Sequence, residues 1–483
     1  MPFNKAPLQA VGVLTSQVLI LSIQLVYSGL TARLLEPADL GSYAAAAAIV
    51  GVANLLVTAG LATSLLGSAI VDNMTVAVHR RAAARMGVIG VVVGAAIFQF
   101  AATNSGFAHL RTMGLLLTTQ LPFVGLLAVE SALLRLEGRF VTDVVIQMVG
   151  LALSYVCVTA LLLAGQPAFV IGVAPTLAGL LALCATITVR TRRYPRPAAE
   201  ESTAHVFAVT KKVFAQNIVF YGLNQAPILS VSVILGAGAA GIYSRANVIA
   251  ATPASALTSA LTRLLQPSWK RHHMDAAVAS GWLQLGCLLL TTMLFGSLAA
   301  AAEPLVALWL GRSWHDVVPV ARWLCLYASA YICFAVLANK VETLGFFRPA
   351  RRAQLCMIAG LAIGIVCGIR TESLLILAAT AGLTQCLGWI VLLRSCQRGG
   401  HISFVGAGRW VLVCLIACPG AVAAGWTATT AVLAAAPDAT TVAANLAAVA
   451  AGVLIVSATA TGLAWGMRVH FQAHLAIGST SQS

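Results

Sequence analysis

Charge is the scarcest thing in this chain. Asp, Glu, Lys and Arg together make up 9% of its 483 residues, and only 14 residues are acids. Soluble domains keep about a quarter of their residues charged, so a water-facing globular fold is excluded. Strict alternation of apolar and polar positions is missing too, which removes the strands of a membrane β-barrel. The eleven cysteines include no C-x-x-C pair, so neither a disulfide framework nor a zinc site is expected. Their positions inside apolar runs suit buried thiols that fill gaps. No G-x-x-x-x-G-K-[ST] occurs, hence no ATP motor within the chain. Gly236, Gly238 and Gly241 spell G-x-G-x-x-G, but no strand precedes them and the dinucleotide reading needs one. His272 and His273 lie in a basic loop, where solvation suits them better than metal ligation. The sequence offers no catalytic group, no metal ligand set and no cofactor motif, and an enzyme is not expected.

What the chain has in quantity is hydrocarbon. Hydrophobic residues make up 60% of it and the mean hydropathy is +0.92. Apolar runs of about 20 residues, each long enough to cross ~30 Å of lipid, recur from end to end. Backbone groups cannot stay unpaired in lipid, so the runs must be helices. The expectation is an all-α integral membrane protein of about fourteen spans, among them 212–235, 240–265, 409–433 and 441–467.

The net charge of +15 is explained by where the basic residues fall. With the N-terminus taken as cytoplasmic, 23 of the 29 lysines and arginines sit in inner loops or at inner ends, as the positive-inside rule requires. The basicity is therefore an orientation signal and an attraction for anionic inner-leaflet lipid, and nucleic acid is not an expected partner. Both termini are expected on the cytoplasmic side, and the first apolar run is expected to be retained as a span, with no cleavage site behind it.

An internal echo organises the rest. Leu34–Tyr43 reads LLEPADLGSY, and 200 residues later Ile234–Tyr243 reads ILGAGAAGIY. Without a gap Leu35 meets Leu235, Gly41 meets Gly241 and Tyr43 meets Tyr243. Upstream, Gln17 meets Asn217 and Gln24 meets Asn224. A second echo, at an offset of 207, pairs EGRFVTDVVIQ (Glu137–Gln147) with LGFFRPARRAQ (Leu344–Gln354), Gly138 meeting Gly345 and Gln147 meeting Gln354. The copies share one orientation, so the repeat is parallel, with its axis along the membrane normal. The expected organisation is a six-helix bundle over residues 1–197, a second over 198–400, and an additional helix pair with a short cytoplasmic tail over 401–483. Between the bundles lies the polar stretch Thr191–Ala204, read as a linker. Gly360, Gly364 and Gly368 form a close-packing face.

Polar residues inside apolar spans are costly and need a reason. Gln24, Asn217, Asn224 and Gln225 form a duplicated stripe that either lines a wet central chamber or bridges helices; Asn54 lies near the middle of the second span. Arg245 stands six residues into the eighth span, ~9 Å at 1.5 Å per residue, either facing the chamber or snorkelling outward. Arg33 ends the first span, where anchoring at the interface and contact with substrate are both open. Glu130 carries either a coupling role or an ion pair with Arg135. Arg322 lies near an outer end.

TARLLEPADLGSYAAAAAIVG, ALLRLEGRFVTDVVIQMVG, ILGAGAAGIYSRANVIAATPASALTSAL and PLVALWLGRSWHDVVPVARWL resemble, in order and spacing, the Wzx-type polysaccharide flippases of the multidrug/oligosaccharidyl-lipid/polysaccharide exporter superfamily. The likeness covers most of residues 8–400; the family's usual glycine after the paired leucines is replaced by Glu36. It implies a bacterial inner-membrane carrier that moves a polyprenyl-pyrophosphate-linked oligosaccharide from the inner to the outer leaflet by alternating access. Membrane lipid and a polysaccharide polymerase with its export machinery would be its partners. Arg245 and Arg33 would attract pyrophosphate, the amide stripe would bond sugars, and Glu130 would couple transport to an ion. A peptidoglycan-precursor flippase is the nearest rival. A drug or organic-cation antiporter would need more intramembrane acids, and an oligosaccharide polymerase or ligase a larger outer loop than Glu303–Pro319.

Overall fold

The computed structural model describes residues 6–58, 61, 65, 73–104, 109–189, 203–271, 276–404, 420 and 422–432, with single positions at 447, 450, 454 and 458. Among them every regular element is helical. They are α1 (Ala6–Leu34), α2 (Pro37–Thr58), α3 (Asn73–Asn104), α4 (Leu110–Thr118), α5 (Leu121–Leu136), α6 (Phe140–Leu163) and α7 (Ala174–Val189). Then follow α8 (Thr203–Arg271), α9 (Ala276–Thr291), α10 (Ala302–Trp309), α11 (Val317–Thr343), α12 (Phe347–Thr371) and α13 (Leu374–Arg398). Ten helices among the described residues are long and apolar enough to cross a membrane. One of them, Tyr221–Thr262, runs for 42 residues, ~63 Å at 1.5 Å per residue and hence two crossings. The two expected final spans, 409–433 and 441–467, fall mostly outside the described residues.

The chain divides into two compact units, Met1–Ser244 and Arg245–Ser483. In the first, α3 packs on α4 and α5, α6 on α7, and α1 on α6. Phe98, Leu117, Leu121, Leu133 and Leu134 are fully enclosed in its core, while Val92, Phe100, Val156 and Leu163 face outward, as a lipid-facing surface requires. Pro122 lies within the apolar run 111–134, where a proline is expected to kink the span; it stands instead in the first turn of α5, the span breaks at Thr119–Gln120, and proline's missing N–H costs nothing there. In the second unit α13 packs on both α11 and α12. The small-residue face of α12 does what its spacing suggests: Gly360, Gly364 and Gly368 lie directly against Thr384, Thr380 and Leu377 of α13.

The two echoes are visible as geometry. α6 begins at Phe140 and α12 at Phe347, 207 residues apart. The helix before each ends in the same motif. Gly138 has φ 77° and Gly345 φ 83°, each a left-handed residue closing a Schellman cap. Gly138 N–H donates to Arg135 O at 3.0 Å and Arg139 N–H to Leu134 O at 2.9 Å. At the same offset Gly345 donates to Glu342 O at 3.0 Å and Phe346 to Val341 O at 2.7 Å.

The other echo differs between copies in an instructive way. α8 is broken at Gly236, whose φ of 84° and ψ of −175° belong to a region open essentially to glycine alone. The matching position in the first copy is Glu36, which is not among the residues of positive φ. There the chain turns between Leu34 and Pro37, with Leu40 N–H bonding Glu36 O at 3.3 Å. Pro37 starts α2, its fixed φ suited to a first helical position.

Candidate functional site

The two turns built by the repeat meet each other inside the first unit. A Cβ on Gly41 would overlap the carbonyl of Ala237 and lie 2.7 Å from Gly241 N; a Cβ on Gly241 would overlap the carbonyl of Pro37. Adding 200 to one partner and subtracting 200 from the other turns one contact into the other, so the start of α2 and residues 237–241 of α8 cross by a local two-fold. Only glycine allows backbones this close. Further along α2, Tyr221 of α8 lies across Gly51, where any Cβ would collide with its ring, and its hydroxyl donates to Ala48 O at 3.0 Å. The part of α8 before Gly236 therefore runs antiparallel along α2.

This seam positions the predicted amide stripe. Asn224 and Gln225, one turn beyond Tyr221, are half-buried. Asn54, one turn beyond Gly51, is half-buried as well, and its Oδ1 is enclosed without a hydrogen-bond partner. A buried acceptor left so costs about 1–3 kcal/mol, so the position is poised for a donor. The side chains of Asn217 and Gln17 lie outside the described ones. Gln24 on α1 is half-buried. Three residues on, Tyr27 stacks on Tyr155 of α6, centroids 3.8 Å apart and rings within 3° of parallel. That pair walls a cavity of about 530 Å³ between α1 and α6, an aromatic surface that hydropathy alone did not single out.

The charged candidates separate. Arg33 is exposed at the end of α1. Arg245 is 6% exposed, enclosed by protein, which disfavours snorkelling to the surface. Glu130, 2% exposed, pairs with Arg80 of α3, Nε at 2.6 Å and Nη2 at 2.5 Å from Oε1. The alternative partner, Arg135, is corrected: it donates to Asp143 Oδ2 at 2.8 Å. Five residues along a helix turn a side chain ~140° away, so Arg135 faces α6 while Glu130 faces α3. Asp143, 1% exposed, also accepts from Gln147 at 2.9 Å. Neither Arg80 nor Asp143 had stood out, because each partner is supplied by another helix and no spacing rule reveals it. Lys340, one of the basic residues counted to the inner side, lies in the last turn of α11 and is 3% exposed, its Nζ bonding Ser280 Oγ and, at 2.8 Å, His401 O. Among the described residues no group of three metal-ligating side chains converges.

Comparison with known proteins places this geometry. The family described as polysaccharide biosynthesis protein matches residues 30–319. The succinoglycan biosynthesis transport protein ExoT of Rhizobium meliloti (strain 1021) is 29% identical over 309 residues, which are 61% of this chain and 60% of that protein's length. Among solved structures, the lipid II flippase MurJ in an inward closed conformation superposes with a TM-score of 0.70 at 11% identity, covering 94% of this chain and 98% of that one. A multidrug resistance MATE family transporter of the MOP superfamily, in an inward-facing conformation, gives 0.54 at 13% identity, covering 80% and 94%. Likeness at such identities establishes the shared fold. The Wzx-type resemblance read from the motifs agrees with both results.

Proposed function

Because the chain belongs to the polysaccharide biosynthesis protein family, we propose that this multi-pass membrane transporter is a flippase for a polyprenyl-pyrophosphate-linked oligosaccharide. It would carry the sugar head from the inner to the outer leaflet of a bacterial plasma membrane, with both termini in the cytoplasm. The succinoglycan transport role named for its relative supports that substrate class. A sugar-pyrophosphate head cannot enter hydrocarbon, since each unpaired polar group costs several kcal/mol; the carrier supplies partners while the lipid tail stays in the bilayer.

The observation that carries the alternating-access part is the reciprocal crossing of Gly41 and Gly241. A two-fold junction between duplicated hairpins has the symmetry that rocking of one repeat against the other exploits. It involves bare backbone, so it can part without breaking side-chain ion pairs. In this reading Asn54, Gln24, Asn217, Asn224 and Gln225 bond sugar hydroxyls, Arg245 and Arg33 draw the pyrophosphate, and Glu130, held by Arg80, is the coupling acid.

The test is reconstitution into liposomes with a fluorescent polyprenyl-pyrophosphate oligosaccharide, following quenching of head groups that reach the opposite leaflet. The full chain should accelerate crossing over empty liposomes, and Arg245→Ala should slow it about tenfold or more, as loss of one charged hydrogen bond would. A full chain that leaves the crossing rate at that of empty liposomes would overturn the reading, and an Arg245→Ala rate equal to that of the full chain would remove Arg245 from it. A lipid-linked muropeptide moved faster than the oligosaccharide would favour the rival substrate.

A further inference from the structure

The second copy of the repeat carries a cluster of charge that the transport reading does not use. At the offset of 207, Val141, Val144 and Val145 in the opening turns of α6 become Arg348, Arg351 and Arg352 in those of α12. Val141 and Val145 are exposed, and so are all three arginines; the surface keeps its place in the fold and changes its chemistry. The neighbouring acids differ as well. In the first copy Arg135 is held by Asp143 in the first turn of α6. The matching positions are Glu342 and Ala350, and α12 has no acid in its first turn. Among the described residues none of the three arginine side chains makes a hydrogen bond or an ion pair, with Glu342 or with any other group.

Their placement sets three guanidinium groups side by side. Arg351 and Arg352 follow Arg348 by three and four residues, so all three share one face of the helix, where like charges repel. They also stand at the positive end of the helix dipole. An anion seated among them relieves both costs. Along the helix the same face continues as hydrocarbon: Leu355, Ile358, Val366 and Ile369 are exposed. Leu355 is nine residues from Gly364, about 180° around the helix at 3.6 residues per turn, and thus opposite the glycine face that packs on α13. From Leu355 to Val366 eleven residues of rise cover ~16 Å, close to half of a ~30 Å hydrocarbon core and so the depth of one leaflet. A cationic triad one turn from a lipid-facing stripe fits a ligand with an anionic head and an acyl chain.

We infer that the opening turns of α12 bind an anionic phospholipid, its phosphodiester held among Arg348, Arg351 and Arg352 and one acyl chain lying along Leu355 and Val366. The leaflet is the inner one in the orientation that the basic residues indicate. The phosphodiester accepts charge-assisted hydrogen bonds from the guanidinium groups. An ethanolamine or choline head would bring its own cation into a cluster that already has three. A soluble anion would leave the apolar stripe unused.

Native mass spectrometry of the purified full chain, offered equimolar phosphatidylglycerol, phosphatidylethanolamine, phosphatidylcholine and polyprenyl phosphate, tests this. The wild-type chain should retain phosphatidylglycerol about tenfold over the two zwitterionic lipids, since each basic residue at a membrane surface favours anionic lipid. Arg348→Gln/Arg351→Gln/Arg352→Gln should bring the three phospholipids level. Arg394→Gln/Arg398→Gln removes exposed charge from the last turns of α13, at the same end of the hairpin but off this face, and should leave the preference intact. An excess of glycerol phosphate, a head without a chain, should not displace the lipid. Equal retention of the three phospholipids by the wild-type chain overturns the inference without any variant having to fold. So does retention of polyprenyl phosphate ahead of them, displacement by glycerol phosphate, or an unchanged preference in a folded triple variant. An equal loss in the α12 and α13 variants overturns it too, by making the effect one of overall charge. None of these outcomes depends on transport, so failure here and failure of the flippase reading are separable.

Discussion

At the scale of single residues, the Glu130–Arg80 pair is asymmetric, and that asymmetry predicts how it fails. The Arg80 side chain is 38% exposed and that of Glu130 only 2%. Removing the guanidinium leaves a carboxylate in a dry site, which costs about 3–5 kcal/mol. Removing the carboxylate leaves an arginine that water can reach, and an exposed ion loses little. Arg80→Ala should therefore lower the melting temperature of the detergent-solubilised protein well below that of Glu130→Gln, and Arg80→Ala/Glu130→Gln should recover most of the loss. Equal shifts would mean that the pair is not buried as described. His401, beyond the end of α13, offers a pH test. Burial, reinforced by the nearby Lys340 charge, holds its pKa below the ordinary value, and the ring rests on Phe346 at 4.1 Å. The folded chain binds that proton less readily than the unfolded one. Stability is therefore full above ~6.5 and declines as pH falls through and below it. Thermal melts of wild type should drop more steeply on acidification than those of His401→Gln. The individual charges at 130 and 245 were visible in the sequence because an ion in an apolar run stands out. The partner of Glu130 was not, since side chains brought together by separate helices leave no local pattern.

Among the elements, the spans were readable because lipid imposes one length and one polarity on every crossing. Turns were readable where glycine repeats at a fixed offset, as at Gly138 and Gly345. The π turn after α9, at Thr292–Gly296, left no sign, and the break before α5 looked like a mere kink, because both depend on packing around ordinary apolar residues. Gly236 and Gly238 separate conformation from composition. Gly236→Ala forces a Cβ into φ 84° and should destabilise by about 1–3 kcal/mol. Gly238 has open space around it and no positive φ. There Gly238→Ala should be neutral or stabilise by up to ~1 kcal/mol. Paired chemical- or thermal-denaturation curves decide it; two equal losses would show that Gly236 is not the break.

For the whole molecule, the repeat was legible from two offsets, and the structure adds that the copies touch at Gly41 and Gly241. What no sequence shows is which polar faces meet water. Cysteines placed at Gln24 and Asn224 should react with small water-soluble thiol reagents in cells if both line a chamber. Protection of both in every state would return the amides to bridging helices. Gly41→Leu should prevent the close crossing with Ala237, reducing transport while the protein still inserts. Normal transport by a stably inserted Gly41→Leu chain would show the crossing to be dispensable.

The two copies reach the same bend by different means, one with Pro37 after Glu36 and the other with a left-handed Gly236. They are therefore not interchangeable parts. A chimera carrying LLEPADLGSY at 234–243 would set a glutamate where the backbone tolerates only glycine. The reverse graft, ILGAGAAGIY at 34–43, would merely slacken a joint. One of the two grafts should be tolerated where the other is not.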